Sequence, residues 1–400
     1  MTSITTENTS STPKNYVINQ WDDEVLNLKP ALLRGIYAFG FEKPSSIQQK
    51  ALYPMTLRPA KDIIAQAQSG TGKTGAFVTG TLQIIDINEP VTQALILAPT
   101  HELANQTKQV MDDIGRFLKV KTQLLVGGTS VEKDKQQLLE NTPHVVIGTP
   151  GRVHDMFRRK YLSSSTLKIL VIDEADEMLS SGFKEQMYKI FQYTPNEIQI
   201  GLFSATMPTD LQELTDKFLR HPVKILVKAE QLTLQGIAQY YINLEDDLQK
   251  YECIKDLFAS LTVSQAIIYC NSTRRVDDLQ EAMTSDNFPV KKIHGKMADD
   301  ERKAVHKEFK SGGCRVLITS DLFARGIDVQ QVSIVINFDI PRNEHTYLHR
   351  IGRSGRWGRK GIAINFQTKH DATRLKKFEE YYCTQITEMP SDYTKHLGLN

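Results

Sequence analysis

The chain has 400 residues, 40% of them hydrophobic and 24% charged, with a formal net charge of +2 at pH 7. That length exceeds one ordinary core and predicts two domains of about 200 residues each, in a composition normal for globular proteins. So small a charge excludes a wholly basic glove, so a bound polyanion would have to meet local basic residues, backbone N–H groups and helix N-termini.

Residues 1–18 read as a disordered tail, Ser/Thr-rich and without the apolar core of a signal peptide. No apolar stretch reaches membrane-spanning length, so no membrane partner is expected. From 19 to 226, short apolar runs at 62–66, 94–98, 123–126, 144–147, 168–172 and 199–203 alternate with helix-like segments such as 102–118. Residues 227–236 fit no such series and read as a linker. A second series fills 237–400, with runs at 266–269, 290–293, 315–319, 333–337 and 361–366 and helices over 274–283 and 299–310. This βαβ rhythm predicts an α/β protein of two domains, each a mostly parallel sheet covered by helices. Cys253, Cys270, Cys314 and Cys383 lack the close paired spacing of zinc or dithiol sites and read as reduced thiols of an intracellular protein.

Clusters of Gly, Pro, Ser/Thr and charge fall just after the apolar runs, where open α/β sheets bind ligands. The first is Ala67-Gln68-Ser69-Gly70-Thr71-Gly72-Lys73-Thr74. Gly70 and Gly72 permit a tight turn whose N–H groups wrap phosphate oxygens. Lys73 brings a point charge to the β/γ phosphates, and the Thr74 hydroxyl suits magnesium. The strict pattern has glycine in place of Ala67, so the plain alternative is a glycine-rich turn with a surface lysine. The strand–loop–helix setting favours a phosphate loop.

Asp173-Glu174-Ala175-Asp176 closes the run 168–172, about a hundred residues further on. Acid pairs at strand ends are often merely solvated, but beside a phosphate loop they suit magnesium-dependent nucleotide hydrolysis. Asp173 would hold Mg2+ through water, and Glu174 would orient or deprotonate the attacking water. Asp176 is left for another bond, and Ser204-Ala205-Thr206 after the next run offers two hydroxyls. Alone, that triplet reads as a helix cap before Pro208.

His349-Arg350-Ile351-Gly352-Arg353-Ser354-Gly355-Arg356-Trp357-Gly358-Arg359 interleaves arginine with glycine. From the residues alone it is equally a loop gripping nucleic-acid phosphates or a source of arginine fingers for a γ-phosphate on the other domain. Gly127-Gly128, Thr149-Pro150-Gly151-Arg152, the cluster 271–275 and the cluster 320–328 each pass for ordinary turns or caps. Together at one sheet edge they suit a groove following a sugar–phosphate backbone.

In order along the chain stand Gly40-Phe41-Glu42-Lys43-Pro44-Ser45-Ser46-Ile47-Gln48, the phosphate loop, Pro99-Thr100-His101-Glu102-Leu103-Ala104, residues 149–152, the Asp-Glu-Ala-Asp quartet, Ser-Ala-Thr, 324–328 and 349–356. On these motifs the chain, from about Trp21 to about Met389, resembles the DEAD-box ATP-dependent RNA helicases of superfamily 2. Within them it looks most like members of the translation-initiation and exon-junction kind. The resemblance implies two tandem RecA-like domains joined by a short linker, with ATP and Mg2+ as cofactors and RNA as partner.

Carried over by residue, it implies that Gln48 reads adenine between Phe41 and Trp357, and that Asp328 meets the ribose. Lys73, Asp173, Glu174, Arg353 and Arg356 would be catalytic. Asp176, Ser204, Thr206, His349 and Arg350 would couple the domains. RNA would lie along Pro99, Thr100, His101, Gly128, Thr149, Arg152, Asn271, Gly295 and Ser320, through phosphates and 2′-hydroxyls rather than bases. The implied protein is a monomeric, cytoplasmic or nuclear ATP-gated clamp with short, poorly processive unwinding and scaffold partners of the initiation or exon-junction kind. The rivals are a non-catalytic RNA clamp used as an assembly platform and a DNA helicase of the same superfamily. Three positions depart from the family pattern. His101 replaces an arginine, Lys296 follows His294-Gly295 in place of an aspartate, and Trp21 lies slightly far upstream of Gly40 for the usual aromatic.

Overall fold

The structure, a computed structural model, describes residues 16–68, 70–180, 182–226, 236–260, 265–321, 332–354 and 361–390. Residues 1–15 of the expected tail 1–18, residues 227–235 of the expected linker 227–236, and Ser69, Asp328, Arg356 and Trp357 lie outside the described residues. Ile18, placed in the tail, is instead fully buried in the first core.

Strands β1 to β7 are Ile63–Gln66, Ala94–Leu97, Thr122–Leu125, Val145–Gly148, Ile169–Asp173, Gln199–Ser204 and Val223–Ile225. They form one sheet in the order β3-β4-β2-β5-β6-β1-β7, with every described pairing parallel. Strands β8 to β14 are Ile237–Asn243, Gln265–Tyr269, Val290–Ile293, Val316–Thr319, Val332–Asn337, Gly361–Gln367 and Thr387–Glu388. Their order is β10-β11-β9-β12-β13-β8-β14, again parallel. Two parallel sheets in tandem are the two α/β domains expected.

Strand side chains alternate between two packed faces because successive Cβ atoms point oppositely. In the first sheet Ile63, Ala65, Ile96, Ile147 and Val171 join one buried cluster. Their neighbours Ile64, Leu95, Leu97, Val146 and Ile172 join another on the opposite face. The second sheet repeats this, with Ala266, Ile268 and Ile318 on one face and Ile267, Tyr269 and Leu317 on the other. Burial on both faces explains why these strands read as unbroken apolar runs rather than as alternation.

The eleven expected runs recur within a residue or two, and the expected helix over 299–310 is Asp299–Lys310. The segment expected as one helix over 102–118 is His101–Ile114 followed by a short turn of 3-10 helix, Arg116–Leu118. Three strands carry no clear apolar run. Strand β7 alternates half-buried and exposed, β8 is largely half-buried, and β14 is exposed, since each lies at or near a sheet edge.

Buried polar side chains stitch strand ends to loops. Asp62 is almost fully buried and accepts from the backbone N–H groups of Ile200 at 2.8 Å and Arg220 at 2.7 Å. Gln265 donates through Nε2 to the carbonyls of Phe309 at 2.7 Å and Cys314 at 2.9 Å. Both close the amino ends of their sheets and leave the carboxyl ends open for chemistry.

Candidate functional site

Strand order gathers the motifs. Strands β5, β6 and β1 are neighbours, so the Asp-Glu-Ala-Asp quartet, Ser204-Ala205-Thr206 and the phosphate loop emerge side by side. Gln66 is in register with Ser204, Asp173 with Phe203, and the Ala67 N–H donates to the Ser204 carbonyl at 3.0 Å.

Within the phosphate loop Gly70 and Gly72 have φ of +82° and +100°, conformations that favour glycine. Gly72 precedes the helix Lys73–Ile84, whose first turn carries Thr74. A Cβ on Gly72 would lie 2.6 Å from Ser45 Oγ, so the loop touches the start of the helix Ser46–Thr56. Gln48 makes that contact specific. Its Oε1 accepts from the Ser45 N–H at 2.7 Å, and its Nε2 donates to the Gly72 carbonyl at 3.1 Å. The second amide N–H of Gln48 has no hydrogen bond among the described residues.

Phe41 lies against Gly75, where a Cβ would come within 2.7 Å of its ring. Beneath it Trp21 is fully buried and stacked, 6.0 Å between centroids and 9° between planes. Trp21, left aside by its spacing, is thus the support of the candidate base platform. The only signal for it was an aromatic upstream of Gly40.

The acid centre is buried. Lys73 Nζ pairs with Glu174 Oε1 at 3.0 Å, their side chains 5% and 9% exposed. Burial, then the neighbouring Glu174 charge, pushes the Asp173 carboxyl up to about 7. For Glu174 burial is again the largest influence and raises the carboxyl, but the Lys73 ammonium, the His349 charge and the Lys73 hydrogen bond together hold it below its usual value. Two adjacent carboxyls are thereby driven apart, as acid–base sites require. Glu174 also has φ of +49°, a left-handed conformation unusual for a non-glycine residue, and its N–H donates to Asp173 Oδ1 at 3.0 Å.

Asp176 is where the domains meet. Its Oδ2 accepts from Thr206 Oγ1 at 2.5 Å and from His349 Nε2 of the second domain at 2.8 Å, and its own N–H donates to Ser204 Oγ at 3.3 Å. The Asp176–His349 contact is almost closed to solvent, 4% exposed on each side chain. His349 lies on the helix Glu344–Ile351, and Arg353 just beyond is buried with Nε donating to the His349 carbonyl at 3.1 Å. Glu174, Asp176 and His349 together present a metal-like group of donors. The Lys73, Thr206 and His349 contacts already account for it.

Arg350 is fully buried and spends its guanidinium within the second domain, on Asp321, Asn337, the Asp339 carbonyl at 2.7 Å and Asn271 Oδ1 at 2.7 Å. All of these partners lie in its own domain, whereas the expected role of Arg350 is to couple the two domains. Asn271 is held on its other side by Ile340, while Asp339 takes a bidentate contact from Arg275.

The residues expected along RNA occupy the other half of each sheet. Pro99, Thr100 and His101 follow β2, Gly128 follows β3, and Thr149 and Arg152 follow β4, three adjacent strands. Thr100 caps its helix by accepting from the Leu103 N–H at 3.2 Å. Pro99, His101, Gly127, Thr149, Gly151 and Arg152 line part of a depression of about 360 Å³. Arg152 turns inward, bonded to Asp134 and to Thr129 Oγ1 and carbonyl at 2.8 Å, so it braces the Gly127-Gly128 loop. In the second domain Asn271, Gly295 and Ser320 follow β9, β10 and β11, again adjacent strands. Gly295 and Lys296 are exposed, with open space where a Gly295 side chain would stand.

A phosphate loop, a strand-end acid pair and a histidine contributed by a helix of the second domain define a two-domain nucleotide hydrolase of the helicase class. Residues 45–214 match the DEAD/DEAH box helicase family and residues 249–358 the helicase conserved C-terminal domain. The chain is 54% identical over 378 residues to eukaryotic initiation factor 4A of Caenorhabditis elegans, covering 94% of this chain and 93% of that one. It is 52% identical to the ATP-dependent RNA helicase eIF4A of Neurospora crassa, covering 94% and 96%. Among solved structures, S. cerevisiae Dbp5 bound to RNA and ADP BeF3 superposes with a TM-score of 0.88 at 34% identity, covering 95% of this chain and 98% of that one. The chain belongs to the DEAD-box family of ATP-dependent RNA helicases.

Proposed function

We propose that the chain is an RNA-dependent ATPase working as an ATP-gated clamp on RNA, which opens short duplexes locally in translation initiation or other mRNA metabolism. The observation that carries this reading is the Thr206–Asp176–His349 chain, which ties the acid quartet to the second domain. The relative Dbp5, bound to RNA and ADP BeF3, supports the same joint occupancy.

In this reading Gln48 meets the adenine edge, Phe41 and Trp357 flank the base, and Asp328 meets the ribose. Lys73 exchanges Glu174 for phosphate oxygens, and the backbone of 67–72 wraps the same phosphates. Glu174 then holds the attacking water, while Arg353 and Arg356 stabilise charge on the transferred group. The donors fit magnesium: the Thr74 hydroxyl and the Asp173 carboxylate are hard oxygen ligands, and a dication favours ionising a carboxyl that burial and Glu174 hold near pH 7. Bound there, Mg2+ would neutralise developing phosphoryl charge.

The chain would act as a monomer in the cytoplasm, on RNA backbone rather than sequence, with scaffold proteins of the initiation or exon-junction kind. The test is ATP turnover with and without single-stranded RNA. Wild type should be stimulated, and Glu174→Gln should lose on the order of 10²–10⁴ of the stimulated rate. No RNA-stimulated turnover in wild type, or no effect of E174Q, overturns the enzyme in favour of a non-catalytic clamp. Equal stimulation by DNA of the same length points to a DNA helicase, and equal turnover of GTP sinks the Gln48 assignment.

A further inference from the structure

The second domain buries polar side chains at core positions of its sheet. Asn337, the last residue of β12, and Asn365 of β13 are register partners and fully buried, on the same strand faces as Val335 and Ala363. Arg350 can only donate, so the Asn337 oxygen must face it, and Oδ1 accepts from Nη1 at 3.2 Å. That leaves Asn337 Nδ2 to donate to Asn365 Oδ1 at 2.8 Å. Asn365 Nδ2 in turn donates to the Tyr240 carbonyl at 2.9 Å and to the Tyr347 hydroxyl at 3.4 Å. The buried Tyr347 hydroxyl donates to Gln239 Oε1 of β8 at 2.7 Å, and Gln239 Nε2 donates to Thr384 Oγ1 at 3.0 Å. Every step donates away from the Arg350 cation, so the bonds polarise one another in one sense.

We infer that Asn337, Asn365, Tyr347 and Gln239 are positioning residues for the hydrolysis site, a chain that sets the roll of the helix Glu344–Ile351 on its sheet. This rests on the roles given to His349 and Arg353 under the proposed function. Tyr347 and Arg350 stand three residues apart on one side of that helix, and the chain fastens them to β8, β13 and β12. His349 stands on a different face, where it meets Asp176 of the first domain, and its carbonyl accepts from Arg353 Nε. A small turn of the helix about its axis would therefore carry His349 and Arg353 off their line to the acid quartet. Apolar packing is non-directional, whereas each amide in the chain can face only one way. Buried polar networks are often no more stabilising than an apolar replacement, so what this one contributes is a single orientation.

The experiment compares wild type with Tyr347→Phe, Asn365→Leu and the double variant, and takes Gln265→Leu as control. Gln265 makes its two buried bonds at the opposite end of the same sheet. The quantities read are kcat with saturating single-stranded RNA, well below every melting midpoint, ATP binding without RNA, and the midpoint itself. Each chain variant should lose roughly 10- to 100-fold in kcat, the scale of about an ångström of misplacement, with ATP binding unchanged. The double variant should lose no more than the worse single, because both break one chain. Gln265→Leu should lower the midpoint and leave kcat as in wild type. Tyr347→Phe removes a single oxygen and decides the matter should N365L not fold. An unchanged kcat in Y347F, losses that multiply in the double variant, or an equal loss in Q265L overturns the positioning role. If wild type closes on AMP-PNP and RNA in small-angle scattering without turning over ATP, the enzymatic reading alone fails. A raised RNA concentration for half-closure in Y347F then still upholds the chain, and an unchanged one overturns it.

Discussion

Glu174, proposed to hold the attacking water, sits in a backbone conformation that few non-glycine residues adopt. Such strain is tolerated where surrounding contacts over-determine it, and here Lys73 and the Asp173 hydrogen bond do so. Gly75 is a second residue with no latitude. A Cβ there would lie 2.5 Å from Gln48 Nε2 and 2.7 Å from the Phe41 ring. Gly75→Ala should therefore cost about 1–3 kcal/mol of overpacking, relieved by displacing Gln48 or Phe41. A raised KM for ATP with a nearly unchanged kcat would report it, and an unaltered KM would refute the contact. The motif residues were legible in the sequence because phosphate and magnesium chemistry permits few residue types. Trp21 and the inward turn of Arg152 were not legible, because stacking and ion pairing between distant segments leave no local pattern.

At the scale of elements, the strands were legible because burial on both faces forces continuous apolar runs, as in Ile169–Asp173. The edge strand Val223–Ile225 was not, because on one side of it no strand lies among the described residues. Two predictions belong here. Asp62 ties the amino ends of β1 and β6 to the segment leading into β7, and Asp62→Ala strips two buried N–H groups of their acceptor. The loss should be about 3 kcal/mol in chemical denaturation, against under about 0.5 kcal/mol for a substitution at an exposed site. The helix Asp299–Lys310 holds the other. Burial keeps His306 below the ordinary imidazole range, with Glu102 opposing and Lys310 assisting. Neutral is the form the fold accepts. Its contribution is complete above the unfolded value of about 6.5 and is lost as pH falls from there toward the lower folded value. His306→Leu should flatten the fall of the melting midpoint on the acid side of about pH 6.5, which a pH series would check.

The whole molecule divides each sheet in two. Strands β5, β6 and β1 hold the nucleotide motifs, and β3, β4 and β2 hold the residues assigned to RNA. That division could not be read along the chain, since the two sets interleave in sequence and only strand order separates them. Its consequence is reciprocity. If ATP tightens RNA by some factor, RNA must tighten ATP by the same factor. His349→Ala removes the second-domain partner of Asp176 and should shrink both factors together. Binding titrations of each ligand with and without the other would check this, and unequal changes would contradict a shared closed state.

The stack of Phe41 on Trp21 has a practical side. The chain has only two tryptophans, Trp21 and Trp357. Trp357→Phe therefore leaves an indole buried directly beneath the aromatic platform and nowhere else. Its emission becomes a built-in optical gauge of what rests on Phe41, so the protein can be watched filling and emptying without any dye.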